Sequence, residues 1–329
     1  NGSVRFTNQT APKYDAFTNT GAATVYFRGN SDNQLYCNGT TDFYNLVIDK
    51  GVDQTYNFTV YSSAYPNFRI FGANNAPSAN SATANPDVKK ALWVRNGTLI
   101  LQGLTIIPSL SEGTTSSGTS NSHFIIPANG AIELAGSEVI VLATADHFSE
   151  VEKAYNLSGG SNAVYGINSG SGSYSGISIL GKLQVINGYL STRESAGLLY
   201  WSYASGQFVL NNGIVDTKQF HNPEGGTTGL ITFTQTGGHL ILRGRFQNTI
   251  NYPDVESLKN PVLNTARAAN GIDGNAGIGT MSICANASNG YIMTGGTMSI
   301  YDVTGTTATS YAFLVNCPLS NINVTGGTL

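Results

Sequence analysis

Apolar and polar residues alternate in short runs along most of the chain, and one element recurs between the runs: apolar, any, apolar, any, Asn or Gly, Gly, any, apolar. It is legible seven times, at residues 92–99, 125–132, 183–190, 208–215, 233–240, 291–298 and 322–329, with Gln235 in the second apolar place of the fifth copy. Alternation with a period of two is the pattern of a strand buried on one face. The Asn/Gly-Gly step between the two halves supplies a corner at positive φ, which Gly adopts freely and Asn tolerates. Each copy therefore predicts two short strands meeting at a sharp bend.

The second glycine of the element falls at 97, 130, 188, 213, 238, 296 and 327, with gaps of 33, 58, 25, 25, 58 and 31 residues. If each gap of 58 hides one degenerate copy, the period averages about 29, inside the window of solenoids and propellers. A propeller blade needs about 40 to 45 residues, and a sandwich has no reason to repeat one bend at this interval. The spacing predicts an all-β, right-handed parallel β-helix of about eleven coils, its hand set by the preference for right-handed crossovers. Residues 1–90 read as irregular coils, with short aromatic-rich strands at 25–27, 42–48, 56–61 and 68–71, and residues 91–329 as regular ones. Polar stretches interrupt the pattern at 74–87, 109–122 and 251–273, and 146–154 is the one place where a short helix is expected. Leu329 stands inside a strand of the pattern, which leads us to expect that the native polypeptide continues.

Composition changes the picture in one respect. Only 16 basic and 19 acidic residues are present, so 11% of the chain is charged, against roughly 25% in an ordinary soluble domain. The surface must then be built from Asn, Ser, Thr and backbone, which suits stacked strands on which like charges one rung apart would repel. A net charge of -3 leaves no basic footprint for nucleic acid, and no apolar run approaches the length of a membrane span. Asn-x-Ser/Thr triplets, as at Asn8, Asn38 and Asn57, fit a secreted surface. Three cysteines, Cys37, Cys284 and Cys317, are too few for a disulfide scaffold and too scattered for zinc. Cys284 and Cys317, 33 apart, would be neighbours on successive turns, either paired or as buried thiols.

Chemistry is sparse. No two acidic residues are adjacent, and none share a register that would bring carboxylates together for a lyase's Ca2+ or a glycosidase's pair. Asp146-His147 resembles the Asp-His pair of pectate lyases and Gly238-His239 the Gly-His of polygalacturonases, but neither has its companions. The pattern therefore predicts no catalytic residue, no metal and no cofactor, with a β-helix polysaccharide lyase or hydrolase as the alternative. Five residues after the repeat glycine stand Arg193, Lys218 and Arg243, a predicted stack of three cations. They read either as a solvated ladder compensated by Glu194 and Asp216 or as a site for an acidic glycan. Tyr200, Trp201 and Tyr203 cluster nearby, as a sugar-stacking platform or as part of the core.

Val25-Tyr26-Phe27-Arg28-Gly29 with Gln34, then Phe43-Tyr44-Asn45-Leu46-Val47-Ile48-Asp49-Lys50, resembles the Phe-Asn-Asn-Leu-x-Ile-x-Lys phrase of giant secreted surface proteins of Bacteroidetes. Ile186 to Leu190, Tyr200-Trp201, Asp216 to Gln219 and Gln235 to Gly238 are similar to repeat regions of the same group, including gliding-motility adhesins exported by the type IX system. The resemblance implies a segment of a long extracellular protein with a structural or adhesive role. Its partners would be surface polysaccharide or other domains of the same chain.

Overall fold

A computed structural model of the protein describes residues 4–6, 24–43, 45–70, 92–108, 124–142, 176–192, 198–200, 206–221, 231–244, 246–248, 263–267, 280–283, 288–303 and 311–329. The chain is all-β and its sheets are built from parallel strands. Among the described residues the helical content is two single 3-10 turns, Tyr65–Asn67 and Leu319–Asn321. The one antiparallel pairing described joins Phe246–Asn248 to Leu263–Arg267.

Three ladders carry the structure, and the chain visits them in rotation. The first contains ten described strands in sequence order, running from Val4–Phe6 to Ile322–Thr328. One inward column of this ladder passes through Leu35, Val60, Leu101, Leu134, Val185, Leu210, Gln235 and Met293. Beside it run Phe58, Leu99, Ile132, Leu183, Phe208, Phe233 and Tyr291, all at most 4% exposed. Phe208 stacks on Phe233 and Phe233 on Tyr291, with centroids 5.5 and 5.1 Å apart. Each such side chain taken from water contributes about 1.5–3 kcal/mol, so this column is a main source of cohesion between rungs.

The second ladder holds Ile140–Leu142, Tyr189–Ser191, Ile214–Thr217, His239–Leu242 and Thr297–Ile300 in successive register. Thr41–Phe43 pairs with Phe68–Ile70 in the corresponding place near the N-terminus. The third runs through Phe124–Ile126, Gly176–Ile179, Leu198–Tyr200, Gln219–His221, Met281–Ile283 and Phe313–Val315. Its N-terminal counterpart joins Thr24–Gly29, Asn45–Lys50 and the start of Leu92–Gly103. Lys182–Ser191 and Gly290–Ile300 each turn a corner, belonging to the first ladder by one half and the second by the other. Through them six strands close a ring of parallel pairings, which the four short strands Gly206–Leu210, Ile231–Gln235, His239–Leu242 and Ile214–Thr217 complete.

Six of the seven pattern glycines, Gly97, Gly188, Gly213, Gly238, Gly296 and Gly327, stand at positive φ as the pattern requires; Gly130 does not, and a Cβ there would instead press on Val94 O. At Gly213 φ is +87°, and a Cβ there would lie 2.5 Å from Gly188 O on the rung before. Two expectations about spacing need correction. Phe233 pairs directly with Tyr291, so that gap of 58 is a single step with a long excursion and hides no extra copy. The other gap of 58 mixes two corners. Gly97 pairs with Gly130 where the chain enters the first ladder, whereas Gly188 stands at its exit, one residue beyond the Ala135–Asn187 partners. Both corners are glycine steps between alternating runs, and their sequences are alike for that reason. The expected helix at 146–154 lies outside the described residues.

Candidate functional site

The second ladder gathers the polar side chains that the sequence singles out. Val215 faces the apolar interior, so alternation turns Asp216 to the opposite face. Asp216 is nevertheless fully buried, as is Arg243, and Lys218 is 2% exposed. Arg243 lies two residues beyond Ile241, the cross-rung partner of Asp216, and its Nε reaches to 2.8 Å from Asp216 Oδ1. Tyr189 Oη donates to Asp216 Oδ2 at 3.4 Å from the rung before. Thr192 Oγ1 donates to Thr217 Oγ1 at 2.7 Å, and Thr217 Oγ1 to the Gln219 carbonyl at 3.2 Å. Arg243 Nη2 donates to Thr192 O at 3.4 Å, spanning two steps of the stack.

Lys218 and Arg243 do share one register on successive rungs: Arg243 N donates to Thr217 O and Gly244 N to Lys218 O, at 3.0 and 2.9 Å. The solvated ladder expected of them is corrected by their burial. A cation this deep must be neutralised nearby, and Asp216 does this for Arg243. Arg193 and Glu194 lie outside the described residues, as do Trp201 and Tyr203. Tyr200 ends a strand of the third ladder, opposite His221. Asp146-His147 and Cys284 also fall outside; Cys37 and Cys317 are free thiols.

His239 stands between two rungs, with Nε2 2.9 Å from Ser299 Oγ. Burial holds its imidazole below the ordinary value, while the Asp216 charge pulls the other way. Serine, histidine and aspartate on three successive rungs have the composition of a nucleophile relay. Asp216, however, is engaged by Arg243 and Tyr189 and acts on the ring through charge. The geometry suits holding rungs in place better than moving a proton. Among the described residues no group of three or more His, Cys, Asp or Glu side chains could hold a metal ion.

Two further buried polar groups escaped the sequence reading. Arg69 grips Asp42 on the neighbouring strand through two contacts, Nε to Oδ1 at 2.6 Å and Nη2 to Oδ2 at 2.9 Å, with both side chains at most 3% exposed. Burial pushes the Asp42 carboxyl up and the Arg69 guanidinium pulls it back. Lys50 is fully buried at the corner between the third and first ladders. The only prior signal for these was a charged residue inside an alternating run.

The outer face of the first ladder is different. Gln184 Nε2 donates to Asn211 Oδ1 at 2.9 Å and Asn211 Nδ2 to Thr236 Oγ1 at 3.1 Å, a neutral polar ladder across three rungs. Tyr36 and Tyr61, directly opposite each other, lie with ring centroids 6.1 Å apart, and Tyr61 is 40% exposed. No helix among the described residues is long and apolar enough to cross a membrane. No protein-family model, curated protein or solved structure matches the chain.

Proposed function

We propose that the chain is a right-handed parallel β-helix serving a structural and adhesive role in a large, secreted cell-surface protein of the Bacteroidetes gliding-adhesin kind. The observation that carries the reading is the rotation of the chain through three parallel ladders: strands Gly206–Leu210, Ile214–Thr217 and Gln219–His221 are followed by Ile231–Gln235 and His239–Leu242 in the same order. A parallel connection within one sheet is right-handed in nearly all proteins. The pairing of Asp42 with Arg69 and of Asp216 with Arg243 supports a scaffold, since their charges are spent on each other inside the stack. The half-buried Tyr36 and the exposed Tyr61, with the amide and hydroxyl row further along the same ladder, support weak contact with a neutral glycan along the first ladder.

The deciding experiment is a glycan array with the purified chain, run beside an assay for new reducing ends or unsaturated products on the same polysaccharides. Binding without turnover is expected, weakened by Tyr61→Ala. Turnover of any polysaccharide would overturn the reading in favour of a lyase or hydrolase. Absence of binding throughout would reduce the chain to a spacer.

A further inference from the structure

Lys50 closes the strand Asn45–Lys50 opposite Gly29, and its side chain is fully buried. Its stem is held by the next rung, where a Cβ on Gly97 would come within 2.6 Å of Lys50 Cβ. Nζ donates to Arg28 O at 3.1 Å and is in hydrogen-bond contact with Asn33 Oδ1. Both acceptors are neutral. The carboxylate of Asp32 acts on the ammonium through charge, and its Oδ1 accepts from Asn57 N at 2.8 Å. A buried ammonium bonded only to neutral oxygens is an expensive arrangement. It also presents a primary amine to a carboxamide, with a carboxyl group on the adjoining residue.

We propose that the folded chain joins Lys50 to Asn33 by an isopeptide bond. As the free base, the Lys50 amine adds its lone pair to Asn33 Cγ. The Cγ–Nδ2 bond breaks, and Nδ2 leaves as ammonia with the proton that Nζ gives up. No oxidant or co-reactant is needed, and one NH3 is lost. Asp32 relays that proton and stabilises the charged addition intermediate. Burial lowers the Lys50 pKa and so raises the share of reactive free base. The product removes the buried charge altogether, while the amide N–H that remains still donates to Arg28 O. The link ties residues 17 apart in the chain and staples the end of the third ladder to the start of the first at the N-terminal corner.

Intact-mass spectrometry of the purified wild-type chain tests this directly. The expected mass is about 17 Da below that of the sequence, and proteolysis should release a branched peptide in which residues 33 and 50 are joined. Lys50 should resist amine acylation after denaturation. Asn33→Ala should return to its full sequence mass, and Asp32→Ala should retain most of the unlinked form. A wild-type mass equal to that of the sequence overturns the proposal. So does a loss of the same size carried on a linear peptide as an asparagine succinimide, with Lys50 open to acylation. Linkage at the wild-type level in Asp32→Ala overturns the part assigned to Asp32.

Discussion

Substituting one partner of the Asp216–Arg243 pair should damage the chain far more than substituting both. At 2.8 Å and an effective dielectric near 20, the two charges attract by about 6 kcal/mol. Desolvating each ion takes back several kcal/mol, so the net worth of the pair is small. Arg243→Met removes the attraction and leaves the Asp216 carboxylate buried with Tyr189 Oη at 3.4 Å, an expected loss of about 3–5 kcal/mol. Asp216→Leu strands the guanidinium and should cost about the same. The double variant strands neither charge and should lie several kcal/mol above the sum of the singles. Denaturant titration gives the global numbers. Rungs of a stack can open separately, so hydrogen exchange at Thr192, Arg243 and Gly244, whose N–H groups bond to Asp216, Thr217 and Lys218 carbonyls, should follow the same order. Single variants within about 0.5 kcal/mol of wild type, or additive losses, would refute the argument.

Gly213→Ala should destabilise by at least about 1–3 kcal/mol, because φ is +87° and the new Cβ would lie 2.5 Å from Gly188 O. Gly290→Ala, whose Cβ would meet nothing nearer than 3.6 Å, should change stability by under about 0.5 kcal/mol; equal losses from the two would contradict the corner geometry. The lowered pKa of His239 means the folded chain favours the neutral ring. Its contribution to stability is complete above the unfolded value near 6.5 and is lost as the pH falls from there to the folded value. His239→Gln should therefore flatten the fall in stability on acidification below about pH 6.5, and an unchanged pH profile would contradict this. Burial pushes the Cys37 thiol up to about 11, so iodoacetamide at pH 8 should spare it in the native chain and modify it in denaturant; ready labelling of the folded chain is the contrary result.

The all-β class and the parallel ladders were legible because they depend on period-two alternation, which Phe208 to Leu210 and Phe233 to Gln235 display plainly. The number of steps between paired strands was not. An excursion between rungs leaves no mark on the pairing, so Phe233 meets Tyr291 as directly as it meets Phe208. The entry glycine Gly97 looks like the exit glycines because it shares their positive φ, and Gly130 because a Cβ there would press on a carbonyl of the rung before, as at the exit corners. The stack of Lys218 and Arg243 was legible as register, since both stand five residues after a corner glycine. Its burial was not, because alternation assigns a side chain to a face without saying whether that face meets water. Asp42 and Arg69 were missed for a related reason: a partner 27 residues away has no local signature.

These buried pairs bear on a weakness of stacked parallel strands. A slip of one residue throws every apolar side chain to the wrong face, but a slip of two restores the alternation. The columns through Leu183, Phe208 and Phe233 therefore discriminate poorly between the native register and one displaced by two. A pair that joins fixed positions on adjacent rungs does discriminate, since the slip would leave Asp216 and Arg243, or Asp42 and Arg69, buried and apart. Corner glycines act in the same direction, because a displaced rung would set a Cβ against a carbonyl. Like charges stacked in one outward column about 4.8 Å apart would repel by about 1 kcal/mol each in water, which favours Gln184, Asn211 and Thr236 there. The low charge of the chain and the burial of these pairs then have one cause. In the Asp216→Leu/Arg243→Met double variant the expected outcome is stability kept and register loosened, seen as doubled amide resonances for residues 214–217 and 239–242; a single set at native shifts would show that the corners alone fix the register.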